Sequence, residues 1–272
     1  MYGMDKRLIF DVGMYRGEDT AFYLEKGFRV VAVEADPELC QLTHERFAKE
    51  IAAGQLTIVN KAVSETPGPV IFYKNMSFAT WNTIRPDWAQ RNRELGTESK
   101  AVEVEGVTLR ALIESFGTPY YLKIDIEGMD LAALESIANH RERPQYASIE
   151  SDKSSFATLR REFEIFSRLG YNAFKIVPQH KVPRQKPPKP AREGRYTDFT
   201  FEDGATGLFG EEAPGRWVSA EDAIEAYRPA FLRYALTGDE SFIRNRYLRV
   251  ALRHMGFRAG WYDTHARLAP DR

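Results

Sequence analysis

The sequence predicts an α/β fold in which helices cover a mostly parallel sheet. Short apolar runs alternate with amphipathic stretches through the first half of the chain, as in parallel strands joined by helical crossovers. A glycine-containing loop, Asp11–Thr20, follows the first apolar run and precedes a helical pattern. The next run, Arg29–Glu34, ends in a carboxylate. Together these features predict a ligand site at the carboxyl edge of the sheet.

The predicted strands are short apolar runs. In chain order they are Leu8–Phe10, Arg29–Glu34, Leu56–Asn60, Val70–Tyr73, Ala101–Val104, Tyr120–Asp125, Tyr146–Glu150, Tyr171–Val177 and Trp261–Ala266. Capping residues help to set the helix ends: Asp36 is placed as an N-cap before Pro37, and Gly170 as a C-terminal cap. After a first helix from Thr20, the predicted helices are Asp36–Glu50, Leu109–Phe116, Met129–His140, Ser155–Leu169, Ala220–Leu236 and Ser241–His254.

The pattern changes after Val177. Residues 178–195 are basic and rich in proline, which predicts a flexible loop without regular structure. Glycines then cluster from Gly204 to Gly215, before the last two predicted helices. The sequence therefore divides into a core over residues 1–177, an insertion over 178–260, and a final strand and tail over 261–272. A long insertion of this kind is expected to serve as a lid or an acceptor-binding cap.

Composition excludes several classes of protein. The formal charge of the 272 residues is −1, which leaves no electrostatic footprint for nucleic acid. The one cysteine, Cys40, excludes an internal disulfide framework and suits a reducing compartment. No apolar run approaches the roughly 20 residues that span a bilayer. The first strand begins about seven residues from the amino terminus, which leaves no room for a signal peptide. We expect a soluble cytoplasmic protein without a membrane partner.

The glycine loop and Glu34 together indicate an adenosine-containing cofactor. Gly13 and Gly17 have no Cβ, so backbone N–H groups of the loop can approach a ligand closely. Glu34 lies where a bound nucleoside would present its ribose hydroxyls. Tyr15 stands where a dinucleotide fingerprint needs its second glycine, and no Gly-Lys-Ser/Thr follows to make a P-loop. S-adenosylmethionine, which has ribose and adenine but no phosphates, fits this spacing better.

Carboxylates follow two neighbouring predicted strands. Lys123, Asp125 and Glu127 alternate at the end of one strand, so they point to one side. These carboxylates could position the cofactor, orient an acceptor or bind a divalent cation, and helix capping is the structural alternative. Asp125 is the preferred catalytic candidate because it lies on the strand itself. Glu150 and Asp152 end the next strand, near the same edge of the sheet. Asp125 and Asp152 could therefore form a metal site, although the sequence has no metal-ligand spacing that supports one.

Five histidines give two further candidates for a general base. His180 lies at the start of the proline-rich loop and His265 in the last strand, and each could equally be an ordinary polar residue. His44 and His140 fall on predicted helices and are expected at the surface. His254 closes a helix, where its charge complements the helix dipole.

These segments resemble the FkbM-type methyltransferase family over residues 8–177. The motifs that carry the resemblance are DVGMYRGEDT at Asp11–Thr20, VVAVEADP at Val30–Pro37, VNKAVSETPG at Val59–Gly68, VEVEGVTL at Val102–Leu109, LKIDIEGMD at Leu122–Asp130 and SIES at Ser148–Ser151. The resemblance implies a class I methyltransferase fold, a Rossmann-like doubly wound sheet whose last strand is antiparallel, with a carboxy-terminal insertion or cap. It also implies S-adenosylmethionine as the cofactor.

The resemblance assigns roles to individual residues. Asp11, Gly13 and Gly17 would surround the aminoacyl end of the cofactor, Glu34 would take the ribose, and residues 60–62 would lie along the adenine. The residues predicted to bind the cofactor are Asp11, Gly13, Gly17, Thr20, Glu34, Ala35, Asp36, Asn60, Ala62 and Asp125. Asp125 would also face the reacting centre as general base, with His180 as the second choice.

The family is associated with O-methylation, so a hydroxyl of a sugar, glycan or natural-product scaffold is the expected acceptor. We therefore expect a small-molecule or glycan partner, leave a homodimer open, and do not expect nucleic acid as a partner. Three other functions stay open: a degenerate fold that binds without catalysis, a nicotinamide-dependent oxidoreductase, and a nucleic-acid methyltransferase. The basic loop Lys181–Lys189 is the one feature that supports the last of these.

Overall fold

Ten strands and nine α-helices make up the described part of this computed structural model, which covers residues 4–153, 155–238, 241–257 and 259–269. The strands are β1 Asp5–Val12, β2 Arg29–Glu34, β3 Leu56–Asn60, β4 Ala62–Val63, β5 Gly68–Asn75, β6 Ser99–Val107, β7 Pro119–Ile124, β8 Tyr146–Glu150, β9 Tyr171–Pro178 and β10 Tyr262–Leu268. The helices are α1 Glu18–Glu25, α2 Pro37–Arg46, α3 Ala48–Ala52, α4 Pro86–Glu94, α5 Leu109–Phe116, α6 Asp130–Ser136, α7 Phe156–Arg168, α8 Ala220–Thr237 and α9 Arg246–His254.

Seven strands form a central sheet in the order β3-β2-β1-β7-β8-β10-β9. The pairs from β3 to β8 are parallel, and β10 runs antiparallel to both β8 and β9. This confirms the predicted doubly wound α/β class with an antiparallel last strand. The strand order reverses between β1 and β7, so the carboxyl ends of these two strands flank the position where open α/β sheets bind ligands.

Alternate residues of each central strand point to opposite faces of the sheet, and each face has its own apolar core. Leu8 and Phe10 of β1 lie in a cluster with residues of α5 to α8. Ile9 lies in a second cluster with residues of α1 and of the segment after β9. In that second cluster the ring of Phe209 stacks on Tyr121 of β7 with centroids 4.6 Å apart.

Several helix ends differ from the predicted ones. Asp36 is the predicted N-cap, and its carboxylate accepts a hydrogen bond from the Glu38 N–H at 2.9 Å. The predicted helix Asp36–Glu50 is wrong as one helix, because the backbone turns at Phe47 (φ −110°, ψ 27°) between α2 and α3. The predicted ends of two other helices are also wrong: α6 ends four residues before His140, and α9 begins five residues after Ser241.

The two extended segments predicted between β3 and α5 form a separate small sheet. β6 pairs antiparallel with β5 along eight residues and parallel with the short strand β4. The aromatic segment between β5 and β6 holds α4, which periodicity did not predict, and a short 3-10 turn, Ala79–Trp81.

The segment predicted as a loop without regular structure begins with a 3-10 helix, Gln179–Arg184, so that prediction is wrong for its first part. The chain beyond it packs against the central sheet, because Phe201, Leu208 and Phe209 are buried in the second core. A fully buried ion pair adds a polar link: Lys26 Nζ at the end of α1 donates to the Glu212 carboxylate at 2.8 Å. Among the described residues, no helix has the length and apolarity needed to cross a membrane.

Removing the charge of Lys26 should destabilise the fold strongly. Lys26→Met leaves the Glu212 carboxylate buried without its cation, which we expect to lower the free energy of unfolding by about 3–5 kcal/mol. Urea denaturation followed by circular dichroism measures this change. Arg29→Met breaks the exposed Arg29–Asp5 ion pair (50% and 40% exposed side chains) and is the matched control, with an expected loss below about 1 kcal/mol. Equal losses in both variants would show that the buried pair does not fasten the carboxy-terminal segment to α1.

Candidate active site

A cavity of about 890 Å³ opens at the edge where β1, β2, β7 and β8 end. Its size is typical of a small-molecule or cofactor site. Five of the ten residues predicted to bind the cofactor line this cavity, and so do both catalytic candidates. The predicted residues that line it are Gly13, Glu34, Ala35, Ala62, Asp125 and His180.

The loop after β1 passes very close to the end of β7. Gly13 has φ +84°, and a Cβ at this position would lie 1.9 Å from the carbonyl oxygen of Asp125. The N–H groups of Gly13 and Met14 both donate to the carbonyl of Val33 at the end of β2. A glycine is therefore required at position 13, since both the backbone angle and the space exclude a side chain.

Glu34 is held by the backbone with its carboxylate at the cavity wall. One oxygen accepts a hydrogen bond from the Tyr15 N–H at 2.9 Å, and the other from the Asp36 N–H at 2.8 Å. Tyr15 adopts φ +54°, an uncommon angle for a residue other than glycine, and this turn directs its N–H to Glu34. Burial raises the pKa of Glu34 to about 7, although the N–H donors oppose the shift.

Lys123 of β7 links this strand to the end of β1 and to the loop that follows β1, beside the cavity. Its buried ammonium donates to the Asp11 carboxylate at 3.0 Å and to the Gly13 carbonyl at 2.8 Å. It also lies 3.7 Å from Asp19. Burial alone would lower the pKa of Lys123, but the surrounding carboxylates raise it well above its usual value. Lys123 is therefore a permanent cation among acids, a role that its sequence position did not predict.

Asp19 joins α1 to the carboxy-terminal segment. Its carboxylate accepts hydrogen bonds from the N–H groups of Thr206 and Gly207 at 3.0–3.3 Å. Burial raises the pKa of Asp19 to about 6, and Lys123 limits the shift. Because Asp19 lines the cavity, residues 206–207 help to fix one of its walls.

The other five predicted cofactor residues do not line the cavity. Asp11 accepts a 2.6 Å hydrogen bond from the Thr20 hydroxyl, and both are fully buried. Gly17 has φ +82° and packs against the ring of Phe47. Asp36 caps α2 and pairs with a lysine of β5, and the Asn60 amide donates to the Glu34 and Ala35 carbonyls. These five residues hold the binding loops in place, and their direct contact with a cofactor stays a prediction.

Carboxylates crowd one side of the cavity. Asp125, Glu127 and Glu150 line it, and burial raises the pKa of each one. For Glu150 the value is about 8, despite Lys153 at 3.7 Å. Glu127 has φ +43°, the second uncommon backbone angle in the cavity wall. Carboxylates whose pKa is raised in this way are stronger proton acceptors than free carboxylates.

Two other candidates do not reach the cavity. The His265 ring is 2% exposed and stacks beside Tyr121, and burial lowers its pKa to about 3. It does not line the cavity, so its predicted role as a base is not supported. Asp152 accepts a hydrogen bond from the Ser155 N–H at the start of α7 and does not line the cavity with Asp125. Within the described ranges, no group of three or more His, Cys, Asp or Glu side chains could hold a metal ion.

Part of the cavity lining comes from segments that the sequence motifs did not assign. Trp81 lies between β5 and β6 of the small sheet, Arg233 belongs to α8, and Trp261 precedes β10. Lys153 lies over the Trp261 ring. Aromatic, cationic and acidic groups therefore surround one space of about 890 Å³. No sequence pattern could have gathered these residues, because they come from distant elements.

Residues 11–173 match the family model described as the methyltransferase FkbM domain. A probable ribosomal RNA small subunit methyltransferase A of Methanospirillum hungatei JF-1 is 38% identical over 63 residues, which are 23% of this chain and 25% of that protein. Among solved structures, a methyltransferase FkbM from Methylobacillus flagellatus KT is 20% identical with a TM-score of 0.41, over 65% of this chain and 40% of that chain. The StiE O-MT is 10% identical with a TM-score of 0.43, over 99% of this chain and 71% of that chain. This chain thus spans well under two thirds of the curated relative and of the FkbM structure.

Substituting Gly13 should disrupt the loop at the cavity. Gly13→Ala places a methyl group against the Asp125 carbonyl, so we expect a loss of several kcal/mol of stability or separation of the two loops. Gly54→Ala is the matched control, because Gly54 also has positive φ (+68°) but has nothing within 4 Å of its Cβ position. Its expected cost is about 1–2 kcal/mol. Thermal unfolding compares the two variants, and equal losses would contradict the close approach.

Proposed function

This chain belongs to the FkbM methyltransferase family, and on that premise we propose that it methylates a hydroxyl oxygen of a sugar, glycan or natural-product scaffold. The methyltransferase class follows from the family, and with it the use of S-adenosylmethionine. The hydroxyl acceptor and the residue roles are the proposed part. The observation that carries the proposal is Glu34, a carboxylate held at the cavity wall by two backbone N–H groups.

The residues of the cavity fit S-adenosylmethionine in two respects. Each oxygen of Glu34 uses one acceptor site for a backbone N–H and keeps another, so the pair can accept two neighbouring ribose hydroxyls. The cavity lining also contains more acidic than basic side chains, and a bound sulfonium would favour the ionised form of the acids whose pKa is raised. The carboxylates are Glu18, Asp19, Glu34, Asp125, Glu127, Glu150 and Asp203, and the cations are Lys61, Lys123, Lys181 and Arg233.

When bound, S-adenosylmethionine supplies an electrophilic methyl group on a positively charged sulfur. The chain must align the acceptor oxygen with that methyl group, and orientation of this kind can supply roughly 7–11 kcal/mol of the barrier reduction. We assign the acceptor wall to Trp81, Trp261 and the start of the proline-rich segment at His180, which line the same cavity as the carboxylates.

A hydroxyl must lose its proton as it attacks, so a base is required within hydrogen-bond reach. We assign this role to a carboxylate oxygen of Asp125. Its side chain accepts no hydrogen bond from another described residue, so its acceptor sites stay available to the acceptor hydroxyl. Glu150 and His180 line the same cavity and are the alternative bases.

Methylation of RNA is the second candidate function. The 63-residue match to a probable ribosomal RNA methyltransferase favours it. The near-neutral net charge of −1 opposes it, because phosphate backbones are bound mainly by clustered cations. Salt-dependent binding of an RNA oligonucleotide, with methyl transfer to it, would select this function over the first.

Protonation of Glu34 should weaken cofactor binding. The pKa of Glu34 is raised to about 7, and only the carboxylate can accept both ribose hydroxyls. Affinity for S-adenosylmethionine should therefore fall about tenfold from pH 8 to pH 6, as one group with this pKa becomes protonated. Glu34→Gln should remove the part of this pH dependence that Glu34 contributes, and Glu34→Ala should weaken binding tenfold or more at pH 8. Isothermal titration calorimetry measures each constant.

The control for these variants is Glu38→Ala, which removes an exposed glutamate of the neighbouring helix α2 that does not line the cavity. Its affinity should match that of the wild type. The ligand titrates identically in all experiments, so differences between proteins report Glu34. Equal pH slopes for the wild type and Glu34→Gln would contradict the assigned role.

Loss of the base should slow turnover without weakening cofactor binding. We expect Asp125→Asn to lower the rate of methyl transfer about 100-fold or more, while S-adenosylmethionine affinity changes little. A mass-shift screen of hydroxylated metabolites first identifies the acceptor, and single-turnover rates then compare Asp125→Asn with Glu150→Gln. Full turnover by Asp125→Asn would remove Asp125 as the base, and a selective loss in Glu150→Gln would assign the role to Glu150.

A further inference from the structure

A second cavity, of about 460 Å³, shares no lining residue with the candidate active site. We propose that it binds the phosphate group of a small molecule, such as a phosphomonoester. Its cationic lining, here called the basic pocket, comprises Lys175, Lys186, Arg192 and Arg216. The proposal does not depend on methyl transfer, since it rests on a different set of residues.

The two acids in this pocket are already committed to partners within the fold. The Glu211 carboxylate accepts hydrogen bonds from the Tyr146 hydroxyl, the Trp217 indole N–H and Arg267, at 2.8–3.1 Å. The Glu212 carboxylate accepts from Lys26 and from the N–H groups of residues 192 and 193. Neither acid pairs with a cation of the basic pocket through its side chain, so the pocket keeps an excess of positive charge.

Lys175 forms the floor of the basic pocket. It is 3% exposed, lies 4.3 Å from the centre of the Trp217 ring, and donates to the carbonyls of Gly210 and Ala213. Burial lowers the pKa of Lys175 to about 8; the charge of Glu211 opposes this shift, and the repulsion of Arg267 and Arg192 adds to it. An anion beside this ammonium would offset both the burial and the repulsion.

Arg192 and Arg216 supply the geometry for an oxyanion. Both are exposed at the mouth of the pocket, and neither guanidinium makes a hydrogen bond or ion pair with another described residue. A guanidinium fork matches phosphate oxygens, and several converging cations favour a dianion over a carboxylate. Lys186 and Pro188 also line this pocket, so part of the basic, proline-rich segment contributes to it.

A small phosphorylated molecule fits this site better than a polynucleotide. The cations converge on one pocket, whereas a nucleic-acid backbone needs contacts that continue along a surface. Trp217, between Lys175 and Arg267, gives the pocket one apolar wall for the organic part of the ligand.

Titrations with inorganic phosphate and glycerol 3-phosphate, at constant ionic strength, test the proposal. We expect saturable binding with a Kd near or below about 1 mM, and a rise in melting temperature with ligand concentration. The double variant Arg192→Ala/Arg216→Ala should weaken binding at least tenfold, because it removes both free guanidinium groups. Arg216→Glu is a second variant that should abolish binding by reversing one charge.

The charge-matched control is Arg184→Ala/Arg244→Ala, which removes two exposed, unpaired arginines outside both cavities. It should bind glycerol 3-phosphate like the wild type. Absence of saturable binding to either probe would overturn the proposal, as would equal weakening in the two double variants. An RNA oligonucleotide that binds more tightly than glycerol 3-phosphate and loses affinity in Arg192→Ala/Arg216→Ala would replace the small-molecule ligand with a polynucleotide.

Discussion

The buried ammonium of Lys123 is the interaction on which the cavity depends. It holds the Asp11 carboxylate and the Gly13 carbonyl, and it lies near Asp19. Without this cation, two buried carboxylates would face each other at the end of β1 without compensation. With it, the loop after β1 stays close to β7, which is why position 13 must be glycine.

Further hydrogen bonds fix the backbone on both sides of Lys123 at this edge of the sheet. On one side, the Val33 carbonyl accepts hydrogen bonds from the N–H groups of Gly13 and Met14. The turn at Tyr15 then directs the Tyr15 N–H to the Glu34 carboxylate. On the other side, Asp19 binds the backbone of residues 206–207 and so attaches the carboxy-terminal segment to α1. The cavity is thus shaped by backbone groups and buried charges, which can hold a ligand site rigidly before a ligand binds.

Short apolar runs and capping residues in the sequence correctly predicted several strands and helices. β2, β3, β8 and α5 have the predicted bounds, and Asp36 caps α2 as its position before a proline indicates. Glu34 was predicted at the cavity because a residue at the end of a parallel strand reaches the ligand edge whatever the rest of the chain does. Contacts between distant segments could not be predicted in this way. One such contact lies at the break between α2 and α3, where the Phe47 ring packs on Gly17, thirty residues earlier. Asn60 is another, since its amide turns back to the Glu34 carbonyl rather than towards the cavity.

The central claim is that the cavity beside Glu34 and Lys123 binds S-adenosylmethionine. Isothermal titration calorimetry of the wild-type protein with S-adenosylmethionine, and with S-adenosylhomocysteine, tests this most directly. We predict saturable binding of one molecule of either ligand per chain, with each ligand displacing the other. A folded protein that shows no binding heat and no thermal stabilisation with either ligand would contradict it.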